Sequence, residues 1–131
     1  MEKQLGAAVW GAGWVAGEHI RAYANNPHCE VVAIGSRKAE SARKAAETAG
    51  LECAIYTDYD ELMADKRVDI VSICTPNHLH AGETIKAANA GKHILIEKPV
   101  ALNIEDLVAM RDAVRKAGVK TVVSFVLRWN P

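Results

Sequence analysis

The sequence has few aromatic residues and no surplus of charge of either sign. Of its 131 residues, 5% are aromatic, and 16 Lys and Arg residues balance 16 Asp and Glu residues. A chain without a basic surplus creates no electrostatic field that would gather a nucleic-acid backbone or an anionic membrane surface. We therefore expect neither nucleic acid nor a membrane among its partners.

Cysteine is scarce, and no long apolar run occurs. The three cysteines, Cys29, Cys53 and Cys74, are odd in number, far apart and in no Cys-x-x-Cys pair. This pattern favours free thiols in a reducing compartment over a disulfide framework, so we expect a cytoplasmic protein. An apolar stretch over 5–17 is interrupted by glycines and is shorter than the ~20 residues that a membrane-spanning helix needs.

The chain alternates two kinds of segment over a length typical of one domain. Half of its residues are apolar, enough to build a core without disulfides or metal. Short runs rich in β-branched residues predict six strands, and Ala-, Glu- and Lys-rich stretches with apolar residues three and four apart predict five helices. The strands are expected at 5–10, 30–34, 54–56, 69–75, 93–97 and 121–126. The helices are expected at 14–25, 38–49, 59–64, 79–90 and 104–117.

This alternation predicts an α/β fold with a doubly wound parallel sheet, the Rossmann fold, with strand order 3-2-1-4-5-6 over a single domain at 1–131. Most of the strands are apolar on both faces, as expected when helices cover both sides of a sheet. Asp58 and Asn103 stand where helix N-caps are needed, and Gly50, Gly91 and Gly118 stand at helix ends.

A glycine-rich turn joins the first strand to the first helix. Residues 11–16 fit the pattern G-x-G-x-x-A, in which Gly11 allows the tight turn and Gly13 lets a diphosphate approach the backbone. The amides of Gly13, Trp14 and Val15 would then face the diphosphate along the helix dipole. A glycine turn by itself also occurs without any ligand. Its position inside a βαβ unit favours dinucleotide binding.

The end of the second strand bears on which dinucleotide binds. NAD-preferring sites usually place Asp or Glu there, whereas this chain has Ser36, Arg37 and Lys38. Arg37 offers a planar fork suited to a 2′-phosphate, with the Ser36 hydroxyl beside it. These residues predict NADP, with NAD as the alternative. The alternative interpretation, a basic residue that only improves solubility in an exposed loop, is the less favoured one.

The second half of the chain carries three motifs: TPNHLH at 75–80, GKHILIEKP at 91–99 and RWNP at 128–131. Together with the glycine turn they resemble the nucleotide-binding domain of the Gfo/Idh/MocA family, named for glucose-fructose oxidoreductase, inositol dehydrogenase and a rhizopine-catabolism protein. The resemblance covers the whole chain. It implies an NAD(P)-dependent oxidoreductase that moves a hydride between the nicotinamide and a sugar, polyol or related hydroxy compound.

The resemblance also implies roles for single residues. Lys98 would reach the reacting hydroxyl, where an ammonium can stabilise the negative charge that develops on oxygen. Glu97 would lie by the nicotinamide ribose. The other residues of this half that would contact the cofactor are Thr75, Pro76, Asn77, His78 and Arg128. From the residues alone, a surface charge before a turn-forming proline is the simpler interpretation of Lys98.

Three questions stay open at this point. Family members continue into a second domain that carries the substrate pocket, so the end at Pro131 favours a shortened chain of a homo-oligomeric enzyme over a free-standing domain. A dinucleotide-sensing regulatory module without chemistry is the alternative function. The Lys98–Pro99 bond can be cis or trans, and its place at a strand's carboxyl end raises cis above its usual frequency.

Two other kinds of site are disfavoured. Cys74, His78 and His80 lie close in sequence, but a zinc site needs three or four ligands directed at one point, and these belong to a strand and the start of a helix. We therefore expect no metal. Ser72 and Ser124 lie inside predicted strands without a candidate base nearby, which argues against a nucleophilic serine.

Overall fold

A computed structural model of the protein describes residues 3–128, apart from the side chain of Val126. One parallel sheet contains the strands β1 (Leu5–Trp10), β2 (Cys29–Gly35), β3 (Ala54–Tyr56), β4 (Ile70–Ile73), β5 (His93–Glu97) and β6 (Thr121–Ser124). The helices are α1 (Trp14–Ala24), α2 (Ala39–Ala49), α3 (Tyr59–Ala64), α4 (His80–Asn89) and α5 (Ile104–Ala117), with 3₁₀ turns at Asn77–Leu79 and Val126–Arg128.

The strands lie in the order β3-β2-β1-β4-β5-β6, which confirms the predicted doubly wound fold. β1 is central, and Val9 pairs with Ile34 of β2 on one side and Ser72 of β4 on the other. Because every pairing is parallel, all six strands end at the same edge of the sheet. The loops after β1, β2, β4 and β5 therefore meet at that carboxyl edge.

The core has a layer on each face of the sheet. Consecutive β1 residues point to opposite faces, so Ala8 and Trp10 pack in one layer while Val9 packs in the other. The first layer lies under α3, α4 and α5 and includes the fully buried Leu62. The second layer lies under α1 and α2 and includes Ile20. Burial on both faces explains why the central strands β1, β2 and β4 are apolar almost throughout.

The helix ends follow the predicted capping chemistry. The Asp58 carboxylate accepts backbone hydrogen bonds at the start of α3, and the Asn103 side chain does so at the start of α5. Gly50, Gly91 and Gly118 have φ values of 66°, 73° and 68°, so each reverses the chain at the end of a helix. Within residues 3–128, no helix is both long enough and apolar enough to cross a bilayer.

Candidate functional site

A cleft of about 520 Å³ opens at the carboxyl edge of the sheet. It brings together six of the residues predicted from sequence, namely Gly11, Gly13, Ser36, Arg37, Thr75 and Pro76. Gly11 and Gly13 follow β1, Ser36 and Arg37 follow β2, and Thr75 and Pro76 follow β4. The cleft therefore lies across the end of β1, the central strand, where strand order reverses in a doubly wound sheet.

Gly11 fits tightly between the ends of two neighbouring strands. Its amide donates to the Gly35 carbonyl at 2.8 Å, and its φ of 97° lies in the region that favours glycine. An added Cβ would stand 2.7 Å from the Cys74 carbonyl oxygen, in the backbone after β4. Only glycine satisfies both the backbone angle and this close approach.

Gly13, two residues on, has a different environment. It is the N-cap of α1, with a φ of −77°, and a Cβ placed on it would meet no atom within 4 Å. In the part of the chain that the structure describes, no side chain caps this helix end, and its first turn has no acidic residue. The helix N-terminus therefore presents unpaired N–H groups beside open space, an arrangement that suits a diphosphate.

The loop after β2 supplies positive charge to the same cleft. The Ser36 amide donates to the Tyr56 carbonyl at 3.0 Å, which fixes the start of the loop, while the Arg37 and Lys38 side chains are exposed. Neither cation has an ion-pair partner among residues 3–128. Lys38 and Ser41 also line the cleft, although neither is among the predicted cofactor-binding residues.

One buried carboxylate ties two of these loops together. Glu83 of α4 accepts from the Trp10 indole at 2.9 Å and from the Thr75 hydroxyl at 2.5 Å. Burial raises the pKa of Glu83, and these two hydrogen bonds oppose that shift because they stabilise the carboxylate. Trp10 immediately precedes Gly11, so Glu83 joins the glycine turn to the loop after β4.

A second group of buried polar side chains, linked by hydrogen bonds, overturns the expectation that Ser72 has no base nearby. The Ser72 hydroxyl lies 3.0 Å from His19 Nδ1, and His19 Nε2 lies 2.6 Å from Glu97 Oε1. The Tyr23 hydroxyl lies 2.9 Å from Ser72 Oγ, and burial raises the pKa of Tyr23, so its hydroxyl keeps its proton. Ser72 is fully buried in β4, and this lack of access is what excludes a nucleophilic role.

The hydrogen bonds among these four side chains, from Tyr23 through Ser72 and His19 to Glu97, all run in one direction. A carboxylate only accepts, so His19 donates through Nε2 to Glu97, and in the neutral imidazole the other nitrogen, Nδ1, then accepts. Ser72 then donates to His19, and Tyr23 donates to Ser72. Glu97 is consequently held inward by α1, and its carboxylate is not among the groups that line the cleft.

The remaining predicted residues share the carboxyl edge but do not line the cleft. Lys98 is exposed, and its bond to Pro99 is cis. Because β4 separates β1 from β5, Lys98 lies two strands from the glycine turn, about 10 Å at the usual strand spacing. The others are Trp14, which is 89% exposed, the half-buried Val15, and the exposed Asn77, His78 and Arg128.

Metal ligands do not gather in the part of the chain that the structure describes. Residues 3–128 contain no group of three or more His, Cys, Asp or Glu side chains placed to hold an ion. Burial raises the pKa of the Cys74 thiol to about 12, which keeps it protonated and unreactive.

These features define a class of protein. A glycine turn, an uncapped helix N-terminus and a cleft at the switch point of a 3-2-1-4-5-6 sheet are the parts of a dinucleotide-binding Rossmann domain. The family model described as GFO_IDH_MocA, an oxidoreductase family with an NAD-binding Rossmann fold, matches residues 5–125. The chain belongs to this family, as its motifs predict.

Its relatives include dehydrogenases of sugars and polyols. The chain is 34% identical over 128 residues to inositol 2-dehydrogenase of Salmonella typhimurium, covering 96% of this chain and 38% of the relative. It is 36% identical over 137 residues to levoglucosan dehydrogenase of Pseudarthrobacter phenanthrenivorans, covering 98% of this chain and 35% of that enzyme. The chain thus spans less than two-fifths of these relatives.

A solved structure shows the same fold with ligands bound. Scyllo-inositol dehydrogenase from Lactobacillus casei, with bound NAD(H) and scyllo-inositol, matches with a TM-score of 0.88 and 25% identity. The match covers 98% of this chain and 38% of that chain.

Proposed function

We propose that this domain binds a nicotinamide dinucleotide and serves hydride transfer to or from a sugar, polyol or related hydroxy compound. The observation that carries the proposal is the open space at Gly13 against the uncapped N-terminus of α1. The names of the relatives support the substrate class, since inositol and levoglucosan are both polyhydroxylated. Calorimetric titration of the 131-residue chain with NAD⁺ and with NADP⁺ tests the binding. The proposal is contradicted if neither dinucleotide gives a heat of binding.

The cofactor residues that we propose, apart from those for the adenosine end, lie at or just after the carboxyl ends of β1, β4, β5 and β6. The glycine turn, through Gly11, Gly13 and the amides of Trp14 and Val15, holds the diphosphate. Residues nearer the nicotinamide end are Thr75, Pro76, Asn77, His78, Glu97 and Arg128. The bound nicotinamide accepts or supplies the hydride. Lys98 would bind the substrate oxygen and stabilise the negative charge that develops on it.

For the adenosine end we propose a preference for NADP over NAD. The support is that the loop after β2 has no carboxylate to bind the ribose hydroxyls, and that Ser36 and Arg37 both line the cleft. A guanidinium can hold a 2′-phosphate through two parallel hydrogen bonds. A charge-assisted contact of this kind contributes about 1.5–3 kcal/mol, or roughly tenfold to hundredfold in affinity.

Calorimetry with matched variants tests this preference. Arg37→Ala is expected to weaken NADP⁺ binding by about tenfold to hundredfold and to change NAD⁺ binding little, because only NADP⁺ carries the 2′-phosphate. Arg43→Ala is the control, since Arg43 is exposed on α2 and does not line the cleft. Equal affinities of the wild type for the two cofactors, or an unchanged NADP⁺ affinity in Arg37→Ala, contradict the preference.

Other sequence-based expectations also stay predictions. They are the extent of the domain over 1–131, the cytoplasmic location and a homo-oligomer of the full-length protein.

A further inference from the structure

His80 stands in an unusual hydrogen-bonding position. It is fully buried at the start of α4, and both nitrogens of its ring face backbone carbonyl oxygens. Nδ1 lies 2.9 Å from the Pro99 oxygen, and Nε2 lies 2.9 Å from the Thr75 oxygen. A carbonyl oxygen only accepts hydrogen bonds, so both contacts are made only if both ring nitrogens carry a proton.

The two carbonyls belong to different loops of the candidate site. Thr75 lies in the loop after β4 and lines the cleft, whereas Pro99 follows Lys98 in the loop after β5. A single rigid ring therefore fixes the distance between the cleft and the backbone that carries Lys98. In residues 3–128 no other side chain has a hydrogen bond to both loops.

A carboxylate, that of Glu83, lies one turn further along α4 on the same helix as His80, and no direct ion pair joins the two among residues 3–128. Burial raises the pKa of Glu83, and the hydrogen bonds from Thr75 and Trp10 are the largest influences that lower it. Glu83 also reaches the glycine turn through Trp10. His80 and Glu83 thus connect the loops after β1, β4 and β5 from one face of one helix.

We propose that His80 is a positioning residue of the dinucleotide site: with a proton on each ring nitrogen, it donates to the carbonyl oxygens of Thr75 and Pro99 and so holds the loop that carries Lys98 against the cofactor cleft. The consequence for binding rests on the proposed function. The state of the ring does not, because it follows from the two carbonyl contacts in the protein without ligand. The two parts are therefore tested separately.

Nuclear magnetic resonance tests the ring directly. Long-range proton–nitrogen spectra of the ¹⁵N-labelled 131-residue chain at neutral pH report whether each imidazole nitrogen carries a proton. We expect both His80 nitrogens to show the shifts of a protonated nitrogen, with a histidine tripeptide in the same buffer as the reference. A bare nitrogen on His80 overturns the proposal, whether or not the chain binds a dinucleotide.

Calorimetry tests the consequence for binding. His80→Ala removes both hydrogen bonds and is expected to weaken NADP⁺ binding by about tenfold or more, the equivalent of at least one buried hydrogen bond. His80→Asn can restore one of them and is expected to recover part of the affinity. Thr84→Val is the control, because Thr84 is buried on the same helix and its hydroxyl has no hydrogen-bond partner.

The outcomes separate the two proposals. A folded His80→Ala variant that binds NADP⁺ with wild-type affinity overturns the positioning role. It leaves the proposed function intact, because NADP⁺ still binds. If His80→Ala does not fold, the comparison of His80→Asn with Thr84→Val carries the test, and equal affinities overturn the role. If the wild type binds no dinucleotide, the proposed function fails, and the ring spectra alone then decide whether His80 joins the two loops.

Discussion

Gly11 and Gly13 are two residues apart, yet the structure assigns them separate physical roles. Gly11→Ala is expected to lower the free energy of unfolding by about 1–3 kcal/mol, because alanine is strained at a φ of 97° and its methyl group meets the Cys74 carbonyl. Gly13→Ala is expected to stay within about 1 kcal/mol of the wild type, since its methyl group enters open space. The same methyl group should nonetheless abolish dinucleotide binding, because it fills the approach to the helix N-terminus.

Urea unfolding and calorimetry on both variants measure these two effects. Each variant serves as the control of the other, because the chemical change is identical and the positions are neighbours. Unimpaired binding by Gly13→Ala contradicts the proposed diphosphate position. A Gly11→Ala variant as stable as the wild type contradicts the tight contact with the backbone after β4.

Asp65 provides a prediction for the pH dependence of stability. Hydrogen bonds from Arg67, above all from its guanidinium, lower the pKa of Asp65 to about 2. A carboxylate with a depressed pKa stabilises the folded state above the pKa of the unfolded chain, and this contribution is lost as pH falls from about 4 to about 2. We expect the stability of Asp65→Asn to fall less steeply than that of the wild type over this range. Urea unfolding at several pH values measures both slopes, and parallel curves contradict the assignment.

At the scale of helices and strands, local sequence patterns predicted most of the observed elements. The bounds of β1, β3, β5, α3 and α5 match the expectation because apolar spacing and caps act within a few residues of one another. The observed bounds of β4 and β6 differ from the expected ones at the ends of these strands. β4 was expected over 69–75 and covers 70–73, although the amides of the flanking Asp69 and Cys74 still donate to the β1 backbone. β6 ends two residues early, where the chain enters a 3₁₀ turn.

The candidate site likewise has features that local sequence patterns predict and features that depend on contacts between distant residues. The loops after β1, β2 and β4 come together as expected, because the carboxyl ends of parallel strands share one edge. The side-chain pairs beneath them were not predicted. His19 reaches Glu97 across 78 positions, and Trp10 reaches Glu83 across 73. Such pairs depend on which face each crossover helix covers and how it is rotated. The only local signals are a histidine on the apolar face of α1 and a serine in an apolar strand.

At the scale of the whole molecule, the packed core and the length of the chain lead to different expectations for cofactor binding and for substrate turnover. The central strands β1, β2 and β4 are packed under helices on both faces, which gives the domain a continuous interior, whereas the edge strand β6 is partly exposed. The cleft that the domain offers is sized and charged for a nucleotide. The solved relative with bound scyllo-inositol is more than twice as long as this chain, which covers 38% of it. We therefore expect cofactor binding and substrate turnover to be separable.

The last prediction follows from that separation. The 131-residue chain by itself is expected to bind dinucleotide and to turn over no sugar or polyol at a measurable rate. Lys98 can bind a hydroxyl, but holding a substrate beside the nicotinamide can account for ~7–11 kcal/mol of barrier lowering, and one exposed lysine cannot provide that restraint. The assay follows nicotinamide reduction with a panel of sugars and polyols, with an inositol 2-dehydrogenase as the positive control. Turnover by this chain that disappears in Lys98→Ala contradicts the prediction and shows that residues 1–131 contain a complete active site.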